Sequence, residues 1–133
     1  MKPIAAKITK PITLKTRLKC IDNTGAKELE VISVKLYKGK RKRLPRAGIG
    51  DVVICSVKVG NEKMRKKVVY AVVVRQKKEY RRPDGLRIKF EDNAAVIINP
   101  KTKEPQGTEI RGVVAKEAIQ RFSAIGKISS QVV

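Results

Sequence analysis

The apolar residues of this chain occur in short runs rich in valine and isoleucine, separated by turn-forming residues. The longest run, residues 68–74, is far shorter than the roughly 18–20 apolar residues that a membrane-spanning helix needs. Short β-branched runs favour strands over helices. Five strands are predicted, at residues 16–21, 26–36, 51–59, 68–75 and 94–98. In a chain of 133 residues these strands must share one core.

The five predicted strands favour a closed sheet, because closure removes the unpaired edges that β-branched strands would otherwise expose. The first strand alternates, with Leu18 and Cys20 on one face and charged residues on the other. In the second strand the apolar positions change parity between Val31 and Ile32, which predicts a bulge or a strong bend. We therefore predict a mainly β fold, a small closed five-stranded β-barrel.

Residues 76–90 are rich in charge and poor in apolar side chains. They contain Pro83-Asp84-Gly85, a combination typical of a type I or type II turn. This pattern predicts a hairpin that projects from the barrel as a β-ribbon.

The spacing at which apolar residues recur changes near the C-terminus. From Ala115 to Ile125 the apolar residues recur at helical spacing, and Gly126 follows where a C-terminal cap is expected. This short α-helical segment is expected either to pack on the barrel or to dock a neighbouring protein. We expect a single domain over residues 1–133. Its parts would be an N-terminal arm or outer strand at 1–15, the barrel at 16–114 with the ribbon at about 75–90, and the helical segment at 115–133.

The net charge is the strongest indication of function. Thirty-two Lys and Arg against 12 Asp and Glu give +20, and the sequence pI is about 10.4. Such a chain attracts polyanions. Nucleic acid is the first candidate partner, an anionic membrane surface is the second, and a basic protein without a polyanionic partner is the third. The N-terminus is basic, but Lys7, Lys10 and Pro11 interrupt any apolar stretch, so no secretory signal is predicted.

Three basic clusters flank the predicted strands, which places them on loops and hairpin tips held by a rigid body. Arginine grips two phosphate oxygens at once, and lysine supplies a point charge. The alternative is a solvated surface or an import-like basic run without a binding role. The candidate RNA-binding residues are Lys38, Lys40, Arg41, Lys42, Arg43 and Arg46 in the first cluster, Arg65, Lys66 and Lys67 in the second, and Arg75, Lys77, Lys78, Tyr80, Arg81, Arg82, Arg87 and Lys89 in the third.

Aromatic residues make up only 4% of the chain, and tryptophan is absent. Phe122 is expected on the apolar face of the helix and Tyr70 inside a buried strand, which leaves Tyr37 and Tyr80 beside the basic clusters. Proteins that bind single strands without sequence preference stack bases on several aromatic rings. High charge with few rings instead favours recognition of backbone and shape, and therefore folded RNA.

The residues that carry most enzyme chemistry are missing. Without histidine, catalytic triads, His-ligated zinc and the commonest general base are excluded. The acids are scattered, and the glycines at 48–50 lack the lysine and the helix of a phosphate-binding loop. Cys20 and Cys55 match no metal motif and are predicted to be buried free thiols in a reducing cytoplasm. We therefore predict no catalytic residue, no metal, no cofactor and no small-molecule substrate.

Residues 71–117, AVVVRQKKEYRRPDGLRIKFEDNAAVIINPKTKEPQGTEIRGVVAKE, resemble the most characteristic stretch of the universal large-subunit ribosomal protein number fourteen family. Upstream, CIDNTGAKELEVISV (20–34) and AGIGDVVICSVK (47–58) resemble the family's first hairpin and the glycine–aspartate entry to a strand. The N-terminal arm, residues 65–67 and FEDNA at 90–94 resemble archaeal or eukaryotic members. Val113 departs from the pattern, since the family usually has proline after the glycine.

The resemblance implies a five-stranded barrel with a ribbon and a small helical C-terminal part, in a cytoplasmic ribosome. It also implies binding to large-subunit rRNA and contact with small-subunit rRNA at intersubunit bridges. Large-subunit ribosomal protein number three is the implied protein neighbour. An anti-association initiation factor that keeps the subunits apart is a further implied partner.

Our hypothesis is that the barrel is a rigid mount for two RNA-binding segments, the loop at 38–46 and the ribbon at 75–89. Arg41, Arg43, Arg46, Arg81 and Arg82 would neutralise phosphates where rRNA strands approach closely. Three other classes remain possible on the residues alone. They are an architectural DNA-binding or chromatin barrel, an OB-like single-strand-binding translation factor, and an enzyme.

Overall fold

A computed structural model describes all residues from Met1 to Val133. The chain forms nine strands and two short helices, and most of the strands are joined by turns rich in glycine, asparagine and lysine. In chain order the elements are β1 Arg17–Cys20, β2 Ala26–Val34, β3 Val52–Gly60, β4 Val68–Arg75, β5 Tyr80–Arg81, β6 Arg87–Ile88, β7 Ala94–Ile98, β8 Ile110–Val114, α1 Lys116–Arg121, α2 Ser123–Ile128 and β9 Ser129–Val132.

The predicted closed five-stranded barrel is confirmed, with strand order β1-β2-β3-β4-β7. Neighbours are antiparallel except β7 and β1, which are parallel and close the barrel. Cross-strand partners such as Leu18 and Leu29, and Val53 and Ala71, are fully buried. They point into the barrel because side chains alternate along a strand and directly opposed residues share a face. The interior and its covering layers form one cluster of buried hydrophobic residues.

The predicted irregularity of the second strand is present. The register of β2 against β3 shifts between Val31 and Ser33, where the apolar positions change parity. The strand ends at Val34 instead of residue 36, because Lys35 and Leu36 form a turn in which the Tyr37 N–H faces the Val34 carbonyl at 3.5 Å. Leu36 adopts φ 63° in this turn.

The outer face of the barrel is covered at one end and open at the other. Val52, Val72 and Val96 are buried outer-face neighbours, and Phe122 lines a small cavity with Val52. The C-terminal segment therefore packs on the barrel. Towards the other end Val68 is 62% exposed. Tyr70, which the sequence predicted to be buried, is half-buried, and the Lys35 Nζ lies 5.4 Å from its ring centroid.

The predicted short α-helical segment at the C-terminus is confirmed, but it forms two helices instead of one. The backbone leaves the helical conformation at Phe122 (φ −128°, ψ 80°), and this divides the segment into α1 and α2. Gly126 is not a cap but lies within α2, where a Cβ would come within 2.8 Å of the Ile119 side chain. The chain then forms β9, which pairs in parallel with β8, and neither strand was predicted. Gly112, at φ 85°, precedes Val113 at the irregular point of this pair.

The ribbon is shorter and more closely attached than the sequence predicted. Its strands β5 and β6 have two residues each, and the turn is closed by the Gly85 N–H donating to the Arg82 carbonyl at 3.0 Å. The N-terminal arm runs beside the ribbon, since Lys7 pairs with Arg81. Further along, Ile12 pairs with Ala47 and is buried. The arm thus follows the outside of the barrel, as an outer strand would.

Candidate nucleic-acid interface

The first basic cluster lies in the long connection between β2 and β3. The side chains of Lys38, Lys40, Arg41, Lys42, Arg43 and Arg46 are all exposed, and none is within 4.0 Å of a carboxylate oxygen. Ladder pairing anchors both ends of the loop, with the Lys35 N–H bonded to the Val52 carbonyl and Ala47 paired with Ile12. The cations therefore stand on an irregular segment with fixed ends.

The second cluster lies at the opposite end of the barrel, in the turn between β3 and β4. The Asn61 carbonyl accepts hydrogen bonds from the N–H groups of Met64 and Arg65, which closes the turn. Lys66 adopts φ 62°, a left-handed conformation that is uncommon for a residue with a Cβ. Arg65, Lys66 and Lys67 are exposed and have no carboxylate partner.

The third cluster divides into exposed and engaged residues. Arg75 is mostly buried, and its Nε lies 3.0 Å from Asp92 Oδ1. Lys78 is exposed but pairs with Glu79 at 3.0 Å. Tyr80 and Arg82 are buried. The members that remain exposed without a carboxylate partner are Lys77, Arg81, Arg87 and Lys89.

The buried pair Tyr80 and Arg82 does not suit the RNA-contact role that the sequence predicted for both residues. The Tyr80 hydroxyl donates to Glu117 Oε2 at 2.7 Å, and the Arg82 Nε donates to Glu117 Oε1 at 2.8 Å. The Arg82 Nη2 also donates to the Val133 carbonyl oxygen at 2.8 Å. This network fastens the ribbon to α1, so the polar atoms of Tyr80 and Arg82 already have partners inside the protein.

The environment of the network also shifts proton equilibria. Burial, together with the hydrogen bond to Glu117, raises the pKa of the Tyr80 hydroxyl above its ordinary value. The pKa of the Arg82 guanidinium is raised as well; burial opposes this shift, but the hydrogen bonds to Glu117 and Tyr80 outweigh it. Both residues therefore keep their protons to a higher pH than an exposed tyrosine or arginine would.

Gln76 is a positioning residue that sequence reasoning missed. It is fully buried, and its Oε1 accepts the Ile49 N–H at 3.0 Å. Its Nε2 lies 2.9–3.2 Å from the carbonyl and hydroxyl oxygens of Thr9 and from the Lys78 carbonyl. One side chain thus joins the base of the first-cluster loop, the N-terminal arm and the base of the ribbon. Its place in a run of charged residues gave no signal of burial.

Arg121 makes a second connection at this end of the barrel. Its Nη1 lies 3.0 Å from Asp51 Oδ1, and its Nε donates to the Lys2 carbonyl at 2.9 Å. The other Asp51 oxygen accepts the Gly48 N–H at 2.9 Å. The C-terminal segment, the arm and the start of β3 are therefore fastened together.

Cations on the barrel strands differ from those in the loops. Arg17 pairs with Glu28 and Glu30, Lys58 with Glu30, and Lys19 with Asp92. Most acids of the barrel are used in this way, while the first and second clusters have no acid within ion-pair distance. The unneutralised positive charge is therefore concentrated on the connections, where a polyanion has access.

Other features that bear on function are metal-ligating side chains, membrane-spanning helices and cysteines. Nowhere do three or more potential metal-ligating side chains converge, and no helix is long and apolar enough to cross a bilayer. Both cysteines are free, with Cys55 buried and Cys20 half-buried. Burial raises the pKa of the Cys55 thiol to about 12. Burial and the neighbouring Asp22 carboxylate raise the pKa of Cys20 too, so both residues form less of the nucleophilic thiolate than an exposed cysteine would.

Comparison with known proteins adds the family. A family model described as ribosomal protein L14p/L23e matches residues 11–133. Large ribosomal subunit protein uL14 of Methanocella arvoryzae is 52% identical over 133 residues, which is all of both chains. The uL14 protein of Thermoplasma volcanium is 51% identical over the same full length. That of Methanothrix thermoacetophila is 57% identical over 125 residues, 94% of this chain and 92% of the relative.

The match extends over the barrel, the basic connections and the C-terminal segment, and it includes archaeal relatives, in agreement with the resemblance read from the sequence. A family match over most of the chain and identity of about half along its full length leave no part of the fold outside the relationship. The chain belongs to the L14p/L23e family of ribosomal proteins, structural components rather than enzymes.

Proposed function

We propose that this chain is a structural component of the large ribosomal subunit in the cytoplasm and that it binds large-subunit rRNA through its basic connections. The observation that carries the proposal is the separation of charge. Cations on the barrel strands are paired with carboxylates, whereas those of the loop at 38–46, the turn at 65–67 and the outer part of the ribbon are exposed and unpaired.

The first and third clusters act together at one end of the barrel. The connection from β2 to β3 and the connection from β4 to β7 leave the barrel at the same end, because these strand pairs are antiparallel neighbours. Gln76 joins the bases of both connections. Because the two connections are joined where they leave the barrel, their two sets of cations keep a fixed separation. A fixed arrangement of cations suits RNA of defined shape better than a flexible basic tail does.

The second cluster, at the opposite end, supports a second contact with RNA. Two contact regions separated by a rigid barrel would hold two rRNA segments apart at a set distance and offset the repulsion between their phosphates. We propose the role of a single-domain strut within the folded rRNA.

The protein partners belong to the same proposal. We propose that the chain lies beside large-subunit ribosomal protein number three and contacts small-subunit rRNA at an intersubunit bridge. An anti-association initiation factor would dock on the same subunit face. These partners rest on family membership, and the exposed apolar outer face near Ile32 and Val68 is available for a protein neighbour.

A charge-matched pair of triple variants tests the RNA-binding surface. Replacing Arg41, Arg43 and Arg46 with alanine removes three unpaired loop cations, and replacing Arg17, Lys19 and Lys58 removes three paired strand cations. Binding of the full chain to a large-subunit rRNA fragment is measured over a series of salt concentrations. Each lost phosphate contact lowers the slope of log affinity against log salt by roughly 0.7–0.9.

The loop variant is expected to lose about 2–3 in slope and the strand variant less than about 1. Equal losses would show that net charge alone, and not the loop, determines binding. Co-sedimentation of the tagged protein with large subunits in a gradient tests the assembly itself, and its absence from that fraction would overturn the proposal.

A further inference from the structure

A notch of about 300 Å³ lies beside the loop of the first cluster, where β2 ends and the N-terminal arm passes. Its volume is at the lower end of the range of about 300–1,000 Å³ that is typical of sites for small organic ligands. Its lining combines apolar and cationic side chains, among them Lys10, Lys35, Leu36, Tyr37, Lys38 and Arg46.

The apolar residues of the lining used here, Leu36 and Tyr37, belong to the segment that follows β2. Tyr37 is half-buried and packs against the core, and Gly39 lies so close to the ring that a Cβ there would be 2.5 Å from Tyr37 Cε1. Glycine at 39 therefore lets the ring lie against the loop backbone. Tyr37 is the one aromatic ring in the notch and the one tyrosine beside the basic clusters that is not engaged by Glu117.

Leu36 is the second apolar residue of the notch, and its backbone conformation is strained. It has φ 63°, a conformation that disfavours side chains with a Cβ, and it is 67% exposed, so burial in this chain does not offset the strain. An exposed apolar side chain is available for a contact outside the chain. The side chain lines the notch together with Tyr37.

The cationic residues that line the notch carry uncompensated positive charge. The only acid in the notch is Asp51, which is paired with Arg121 at 3.0 Å and accepts the Gly48 N–H. Lys10 lies 3.6 Å from the same carboxylate, while Lys38 and Arg46 have no carboxylate partner. Lys35 has none either, but its Nζ lies 5.4 Å from the centroid of the Tyr70 ring. The net charge of the notch is positive, next to an aromatic ring and an exposed leucine.

We propose that this notch holds one nucleotide extruded from folded RNA, with the base stacked against Tyr37 beside Leu36 and its phosphates facing Lys38 and Arg46. A nucleotide combines a flat apolar face with a strong negative charge, and aromatic rings stack on bases of any sequence. The inference rests on the proposed RNA-binding function and adds a single-nucleotide site to it.

The test uses the full chain and three RNA hairpins that differ at one position of the stem. The first has one unpaired adenosine, the second has an abasic unit at that position, and the third is fully paired. Affinities are measured by fluorescence anisotropy at one salt concentration. The unaltered chain and Tyr37→Phe are expected to bind the adenosine hairpin roughly 5- to 100-fold more tightly than the abasic one, the range that stacking supplies.

Tyr37→Leu keeps apolar bulk but removes the ring, so its preference for adenosine over the abasic unit is expected to fall to about one. Leu36→Gly is the second variant, because glycine suits the backbone at φ 63° and the substitution removes a side chain that is 67% exposed. It is expected to reduce the preference several-fold. Melting curves of each variant confirm that the compared proteins are folded.

A ratio of one for the unaltered chain, or a preference kept by both Tyr37→Leu and Leu36→Gly, would overturn the notch as a nucleotide site. Failure of the proposed function looks different. In that case all three hairpins and rRNA fragments bind weakly, and loss of the loop arginines leaves the salt slope unchanged.

Discussion

Adjacent arginines of the ribbon are predicted to have opposite roles. Arg81 is exposed and has no carboxylate partner, whereas the Arg82 side chain is 9% exposed and that of its partner Glu117 is 2% exposed. In Arg82→Ala the Glu117 carboxylate stays buried with the Tyr80 hydroxyl as its remaining side-chain donor. Breaking a buried ion pair by removing one partner costs about 3–5 kcal/mol. We expect a loss of this size in the free energy of unfolding.

The loss is measured by urea denaturation and by thermal unfolding, both followed by circular dichroism. For a chain of this length a change of 1 kcal/mol shifts Tm by roughly 3–5 °C, so Arg82→Ala should lower Tm by about 9–25 °C. Arg81→Ala is the matched control. As an exposed substitution it should change stability by less than about 0.5 kcal/mol, yet lower the salt slope of RNA binding by roughly 0.7–0.9.

A double variant, Arg82→Met with Glu117→Leu, distinguishes the loss of the ion pair from the effect of substituting residue 82 alone. Apolar residues of similar volume remove both charges together, so part of the lost stability should return. The reasoning is refuted if Arg82→Ala and Arg81→Ala are equally stable. It is also refuted if folded Arg82→Ala loses as much salt slope as Arg81→Ala does.

Two further predictions concern buried polar groups. Gln76→Leu leaves the Ile49 N–H and the Thr9 carbonyl without their partner, so we expect a loss of roughly 2–4 kcal/mol in urea denaturation and faster hydrogen exchange at Ile49; a loss under 1 kcal/mol would contradict the role of Gln76. Burial raises the pKa of Cys55 from 9.0 to about 12, so the folded chain keeps its proton where the unfolded chain loses it. Stability should therefore fall by about 1.4 kcal/mol per pH unit from this group between pH 9 and 12. Cys55→Ala should remove that part of the slope, and identical slopes would contradict it.

The barrel could be predicted because its signal is local. Alternation in β1 and the parity change in β2 indicate where each side chain points, and the turn residues separate the strands. The pair β8 and β9 could not be predicted on that basis. Ser129–Val132 is mostly exposed and pairs with only one other strand, so it has neither alternation nor an apolar run. The break at Phe122 also lies within an unbroken helical period.

The site was predictable as a set of segments but not residue by residue. Arg81 and Arg82 are chemically identical neighbours, and the residue that separates their roles is Glu117, 35 positions further along from Arg82. The same applies to Gln76, whose partners lie 27 and 67 positions away. Composition and spacing indicate charge in a loop, while tertiary contacts decide which charges are already neutralised.

The parallel pairing of β7 with β1 has a consequence for synthesis. Ala94–Ile98 forms β7, which pairs with β1 on one side and with β4 on the other. Until that segment has been translated, any sheet formed by β1 to β4 has two unpaired edges. Unpaired edges recruit other strands, and contacts between distant segments form slowly. The native barrel can therefore form only late in translation. Before that point, association between nascent chains competes with folding.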